Sequence, residues 1–115
     1  MTRQDLEIAL SPDSPSFIPF DTPPRLKNRE EIARLLKQRY PRNLKKNRAS
    51  GTVLLWIYIN QDGRVEKSQV RKRSFHPEFD VAALKIAARM RFVPAKAAGK
   101  PIAVWVQMPM NFRLK

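Results

Sequence analysis

At 115 residues the chain is about one domain's worth, and 23 Lys+Arg against 10 Asp+Glu give a formal charge of +13, which calls for an anionic partner. An apolar share of 43% is too high for a disordered basic tail, and the absence of cysteine removes disulfides, thiolate nucleophiles and cysteine-ligated zinc. The longest apolar run, Val53–Ile59, has seven residues, where a membrane-spanning helix needs roughly 20.

Residues 1–27 read as an extended, proline-rich lead-in or linker remnant, and residues 28–115 as the folded domain. Pro12, Pro15, Pro19, Pro23 and Pro24 forbid a continuous helix or central strand in the lead-in. Leu6, Ile8 and Leu10 alternate as in a short edge strand, and Phe17, Ile18 and Phe20 are apolar enough to dock on the domain. No apolar signal-peptide core follows Met1.

Asn28 with Glu31 resembles a capping box, and Ile32, Leu35 and Leu36 form an apolar stripe, predicting a helix over 28–39. Tyr40-Pro41 interrupts it and opens a second short helix over 41–47. Thr52–Asn60 is rich in β-branched and aromatic residues and apolar on both faces, as a central strand would be. Asp62-Gly63 marks a tight turn, and Val65–Arg73 returns as a basic, polar edge strand.

Pro77–Met90 is predicted as a helix with Phe79, Ala83, Ile86 and Met90 on one face. Ala95–Lys100 reads as a loop, and Ile102–Phe112 as the last strand, confined to an edge by Pro109. The expected fold is α+β: a three-stranded antiparallel sheet with Thr52–Asn60 central, helices packed on one face, and topology α-β-β-α-β.

Catalytic parts are few. His76 has Ser74, Glu78 and Asp80 as neighbours, but no strand–turn–helix elbow presents the serine. Gly51, Gly63 and Gly99 lie too far apart for a phosphate-cradling loop. The chain therefore reads as a non-enzyme without a cofactor, catalytic residue or metal site. Two binding readings stay open. Basic residues on the first helices, with Trp56 and Tyr58 as stacking aromatics, suit a nucleic-acid-binding domain. The exposed edge of the last strand suits an extended peptide added as a further strand.

An ordered series of motifs favours the second. Tyr40-Pro41, Gly51-Thr52-Val53 and Asp62-Gly63-Arg64-Val65 are followed by His76-Pro77, Asp80 and Ala82-Ala83-Leu84. Arg91-Phe92, Pro94-Ala95, Gly99-Lys100-Pro101, Val104-Trp105-Val106, Pro109 and Phe112 complete it. In order and spacing the series resembles the TonB C-terminal domain, over about residues 28–115. The chain departs from that pattern at Phe75, Phe79 and Met90, where the family usually has glycine, leucine and tryptophan.

The resemblance implies a periplasmic protein-binding domain, anchored to the inner membrane in the full-length protein. Such a domain grips the TonB box of outer-membrane transporters and transmits force from the proton gradient through the ExbB–ExbD complex. The family's membrane helix and spacer are absent from this stretch, which reads as an excised domain. The partner contacts implied are Lys37, Arg39, Tyr40 and Pro41, with Ala103, Val104, Trp105, Val106, Gln107 and Met108 on the last strand. A TolA-like envelope scaffold and a homodimer formed through the same edge are the alternatives within this class.

Overall fold

The computed structural model describes residues 20–114. The elements are β1 (Arg25–Leu26), α1 (Arg29–Gln38), α2 (Arg42–Lys46), β2 (Gly51–Ile59), β3 (Val65–Lys72) and α3 (Pro77–Ala87), then β4 (Phe92–Val93), β5 (Ala95–Ala97), β6 (Lys100–Ile102) and β7 (Val104–Phe112). The class is α+β, and every strand pairing is antiparallel. The alternation at Leu6, Ile8 and Leu10, and the docking expected of Phe17 and Ile18, fall outside the described residues. Phe20 does pack against the core.

The main sheet has the order β3-β2-β7. β2 places Val53, Leu55, Ile57 and Ile59 on one face, all fully buried, as the period of two requires. β7 adds Val104, Val106, Met108, Met110 and Phe112 to that face. The helices close over it: Ile32 and Leu36 come from α1, Leu44 from α2, and Phe79, Ala83 and Ile86 from α3. The β2–β7 register runs unbroken from Gly51↔Phe112 to Ile59↔Val104. The β2–β3 register shifts at Leu54/Leu55 and again at Tyr58/Ile59.

The turn between β2 and β3 is organised by Asn60. Its side-chain oxygen accepts hydrogen bonds from the amides of Asp62 (2.9 Å) and Arg64 (3.0 Å), the usual way an Asn side chain stabilises a turn. Gly63 sits at φ +83°, and its lack of a side chain lets another segment approach: its carbonyl accepts the Phe92 amide at 2.8 Å.

Four local expectations are corrected. Asn28 makes no side-chain cap to its helix. Instead its Nδ2 donates to Glu31 Oε1 (3.0 Å) and the Arg89 carbonyl (2.8 Å), while its Oδ1 accepts the Arg91 amide (2.9 Å). A distant segment thus competes for the capping group and wins. The helix predicted over Pro77–Met90 ends at Ala87, and the chain tightens through i→i+3 bonds from Arg89 to Ile86 and Met90 to Ala87. Met90 remains fully buried.

The predicted loop Ala95–Lys100 holds β5 and the start of β6, a hairpin turning at Ala98 (φ 52°) and Gly99 (φ 79°). The last strand is interrupted at Ala103, so β6 and β7 are separate. The end of the lead-in is held as well. Asp21 and Thr22 bond Lys96, Asp21 accepts the Ala98 amide, and β1 pairs with β4.

Candidate functional site

β7 is hydrogen-bonded to β2 along one side, and among the described residues no strand pairs its other side. Pro109 lies within it, opposite Leu54. Proline has no amide to give, so it is tolerated where the nitrogen faces away from the ladder. Lateral orientation alternates along a strand, and this register is unbroken. Trp105 and Gln107 therefore share the outward orientation of Pro109 and turn their amides and carbonyls to the free side. Val104, Val106 and Met108 bond β2. Trp105 and Gln107 each offer the free edge a main-chain donor and acceptor, and Pro109 offers an acceptor alone.

The same outward-turned residues carry their side chains onto the face opposite the helices. There the Trp105 and Tyr58 rings lie 5.3 Å apart, tilted by 49°. The Lys67 ammonium stands 5.7 Å over the Tyr58 ring, and the Arg71 guanidinium 5.3 Å over Trp56. Arg71 also donates to Gln107 Oε1. The two edge strands are thus joined across β2 by side chains, and Trp56 is only 8% exposed.

The ten residues named from the sequence divide by burial. Lys37 and Arg39 are exposed, while Pro41, Ala103, Trp105 and Gln107 are half-buried. Tyr40, Val104, Val106 and Met108 are buried. Tyr40 is a structural post. Its ring meets Phe79 edge-on at 5.3 Å and Phe112 at 5.9 Å, and its hydroxyl donates to the Ala49 carbonyl. Burial pushes its phenol above the ordinary value. Tyr40→Phe is expected to lower stability by about 0.5–1.5 kcal/mol, seen as a lower urea midpoint. An unchanged midpoint would mean that water replaces the phenol at Ala49.

The His76 neighbourhood is a helix entry. The Ser74 hydroxyl donates to the His76 carbonyl (2.7 Å) and accepts its amide (3.1 Å), while Asp80 Oδ1 accepts the Ser74 amide (2.9 Å). The His76 ring lies edge-on to Phe79 at 5.6 Å. Glu78 is held below the usual carboxylate range by its own backbone amide, then by the Asn43 amide group at 3.2 Å and by His76. These bonds occupy the polar groups in fixing the turn.

Sequence reasoning singled out Trp56 and Tyr58 but missed Lys67 and Arg71 as the cations above them. Cross-strand register pairs Tyr58 with Lys67 directly, while Arg71 reaches Trp56 diagonally from two residues beyond its partner Gln69, where the register shifts. It also missed Phe75, which is fully exposed. Two prolines do carry readable signals: Pro109 for the strand's lateral orientation and Pro77 for the start of α3.

Comparison with known proteins bears on this architecture. The family described as Gram-negative bacterial TonB protein C-terminal matches residues 37–114. Protein tonB2 of Pseudomonas aeruginosa is 37% identical over 75 residues, covering 65% of this chain and 28% of that protein. Protein TonB of Vibrio cholerae is 29% identical over 84 residues, covering 73% of this chain and 34% of that protein. The chain thus corresponds to about a third of the length of these curated relatives. The matched region takes in α2, all of the main sheet and α3, and through it the chain belongs to the TonB C-terminal family.

Proposed function

We propose that this domain is the gripping head of a TonB-type energy transducer. It takes the TonB box of an outer-membrane transporter as an added strand along β7, in the periplasm. In the parent protein an inner-membrane anchor and the ExbB–ExbD complex would supply force from the proton gradient. The observation that carries the reading is the free side of β7, whose outward groups belong to Trp105 and Gln107. Each main-chain bond to an added strand contributes about 0.5–1.5 kcal/mol net, so a short strand grips modestly and releases. Main-chain pairing also tolerates sequence variation, which suits a head serving several transporters.

The ten residues take different parts in this reading. Ala103–Met108 forms the pairing strip, with Val104, Val106 and Met108 anchoring it from the core side. Lys37 and Arg39, exposed at the end of α1, steer an acidic segment towards it, and Tyr40 with Pro41 holds that helix end in place.

The test is Gln107→Pro. It removes an outward amide and no bond to β2, so folding should persist while affinity for a TonB-box peptide falls about tenfold or more. Isothermal titration would read the affinity and circular dichroism the fold. Undiminished affinity in a folded variant would remove the edge-strand site. The nucleic-acid reading has the aromatic and cationic face in its favour. Against it, Arg71 already occupies the Trp56 ring, leaving little stacking surface.

A further inference from the structure

Phe75 is 100% exposed, at the turn between β3 and α3. The turn is held firmly: Ser74 bonds His76 through both its hydroxyl contacts, and Asp80 accepts the Ser74 amide. The ring is therefore carried outward by an ordered segment. A lone exposed apolar side chain is ordinary on a protein surface, and Phe75 gains its meaning from the charge gathered at the same end of the domain.

The surroundings supply that charge. Asn43 Nδ2 bonds Glu78 Oε2, which ties α2 to the start of α3. Gly51 lies beside Ser74 and Phe79, close enough that a methyl on its Cα would come within 3.4 Å of the Ser74 Cβ. The segment after Tyr40 is thereby brought to the same end of the sheet as Phe75. It contributes Arg42, Lys45, Lys46 and Arg48, while the end of β3 and the turn contribute Lys72 and Arg73, all exposed. None of these six cations forms an ion pair with another described residue. Of the nearby carboxylates, Glu78 is engaged by Asn43 and Asp80 by the Ser74 amide.

We propose that this end of the domain docks on an anionic lipid bilayer, with Phe75 entering the headgroup boundary and the cations meeting lipid phosphates. Apart from Val81 on α3, Phe75 is the only large apolar side chain exposed among the described residues, so this charged end offers no extended apolar patch for a shape-complementary protein interface. A soft anionic interface receives a single exposed ring without a preformed pocket. The proposal does not rest on the peptide grip: Phe75 stands at the Gly51 end of β2, whereas Trp105 pairs with Tyr58 towards the other end, and the link between the two regions is Arg71, which reaches Gln107 from the residue before Lys72.

The chain has no cysteine, so Phe75→Cys gives a unique labelling position for an environment-sensitive fluorophore. With vesicles of phosphatidylglycerol in phosphatidylcholine, a blue shift and a rise in emission are expected, both reversed by high salt. Vesicles of phosphatidylcholine alone should give neither. The same label on Asp62→Cys, in the β2–β3 turn, should stay unchanged. In flotation of the otherwise unaltered chain, Phe75→Ser should weaken partition to the anionic vesicles about tenfold. Arg42→Glu with Arg73→Glu should abolish it. Equal flotation of the wild-type chain and Phe75→Ser would overturn the proposal. So would a response to duplex DNA matching that to vesicles, which would assign the patch to phosphate charge alone.

Discussion

Gly63→Ala is expected to cost on the order of 3–5 kcal/mol of stability, a large loss for one methyl. Two effects combine. Gly63 lies at φ +83°, where a Cβ clashes with the chain's own backbone. The added Cβ would also stand 1.8 Å from the Phe92 carbonyl oxygen and 2.9 Å from its carbon. Neither the turn nor β4 can step back, because the Gly63 carbonyl accepts the Phe92 amide and the Gly63 amide donates to the Asn60 carbonyl. For a domain of this size a loss of about 3 kcal/mol lowers Tm by about 12–24 °C.

Gly99 provides the control. It has a similar φ of +79°, but a methyl added there would meet nothing within 4 Å. Gly99→Ala should therefore lose only the backbone term, about 1–2 kcal/mol. Thermal unfolding of both variants separates conformational strain from steric overlap. Equal losses would show that the approach to Phe92 relaxes freely.

Phe79→Ala is expected to cost about 3–5 kcal/mol, a large share of the roughly 5–15 kcal/mol typical of a small domain. The side chain is fully buried and stacks on Phe112 with ring centroids 4.7 Å apart and planes 17° from parallel. It also takes the Tyr40 ring edge-on, and lies against Gly51. One ring from α3 thus joins the end of β7, the start of β2 and the turn after α1. Its removal leaves a cavity that three separately anchored segments cannot collapse into. Phe79→Leu, which refills most of the volume, should recover the larger part. A urea midpoint for Phe79→Ala close to the wild-type value would mean that these segments are looser than their contacts imply.

Phe79 also shows how much of the core is legible in the chain alone. Its place on the buried face of α3 follows from spacing, since Phe79, Ala83 and Ile86 recur on one side of a 3.6-residue period. Its partners do not follow, because Tyr40 and Phe112 come from residues far away in the chain. The hairpin of β5 and β6 was missed for a related reason. Strands of three residues, Ala95–Ala97 and Lys100–Ile102, are too short to display an alternating pattern. β1 and β4, with two residues each, are shorter still.

The site divides along the same line. Pro109 announces a lateral direction before the chain folds, because a missing amide is a covalent fact. Burial of Tyr40 and exposure of Phe75 are not covalent facts. Tyr40 is enclosed only because Phe79 and Phe112 arrive beside it, and Phe75 stands in water because Ser74 and Asp80 fix the turn below it.

By itself, then, the sequence determined the α+β class, the core helices and strands, and the family, since each rests on local periodicity or on ordered motifs. Tertiary structure alone decided where the charge of +13 acts. Folding sets Lys67 and Arg71 over aromatic rings, and brings the segment carrying Arg42, Lys45, Lys46 and Arg48 to the same end of the sheet as Lys72, Arg73 and Phe75. Net charge is a sum over the chain, whereas a binding surface depends on which charges come to lie together.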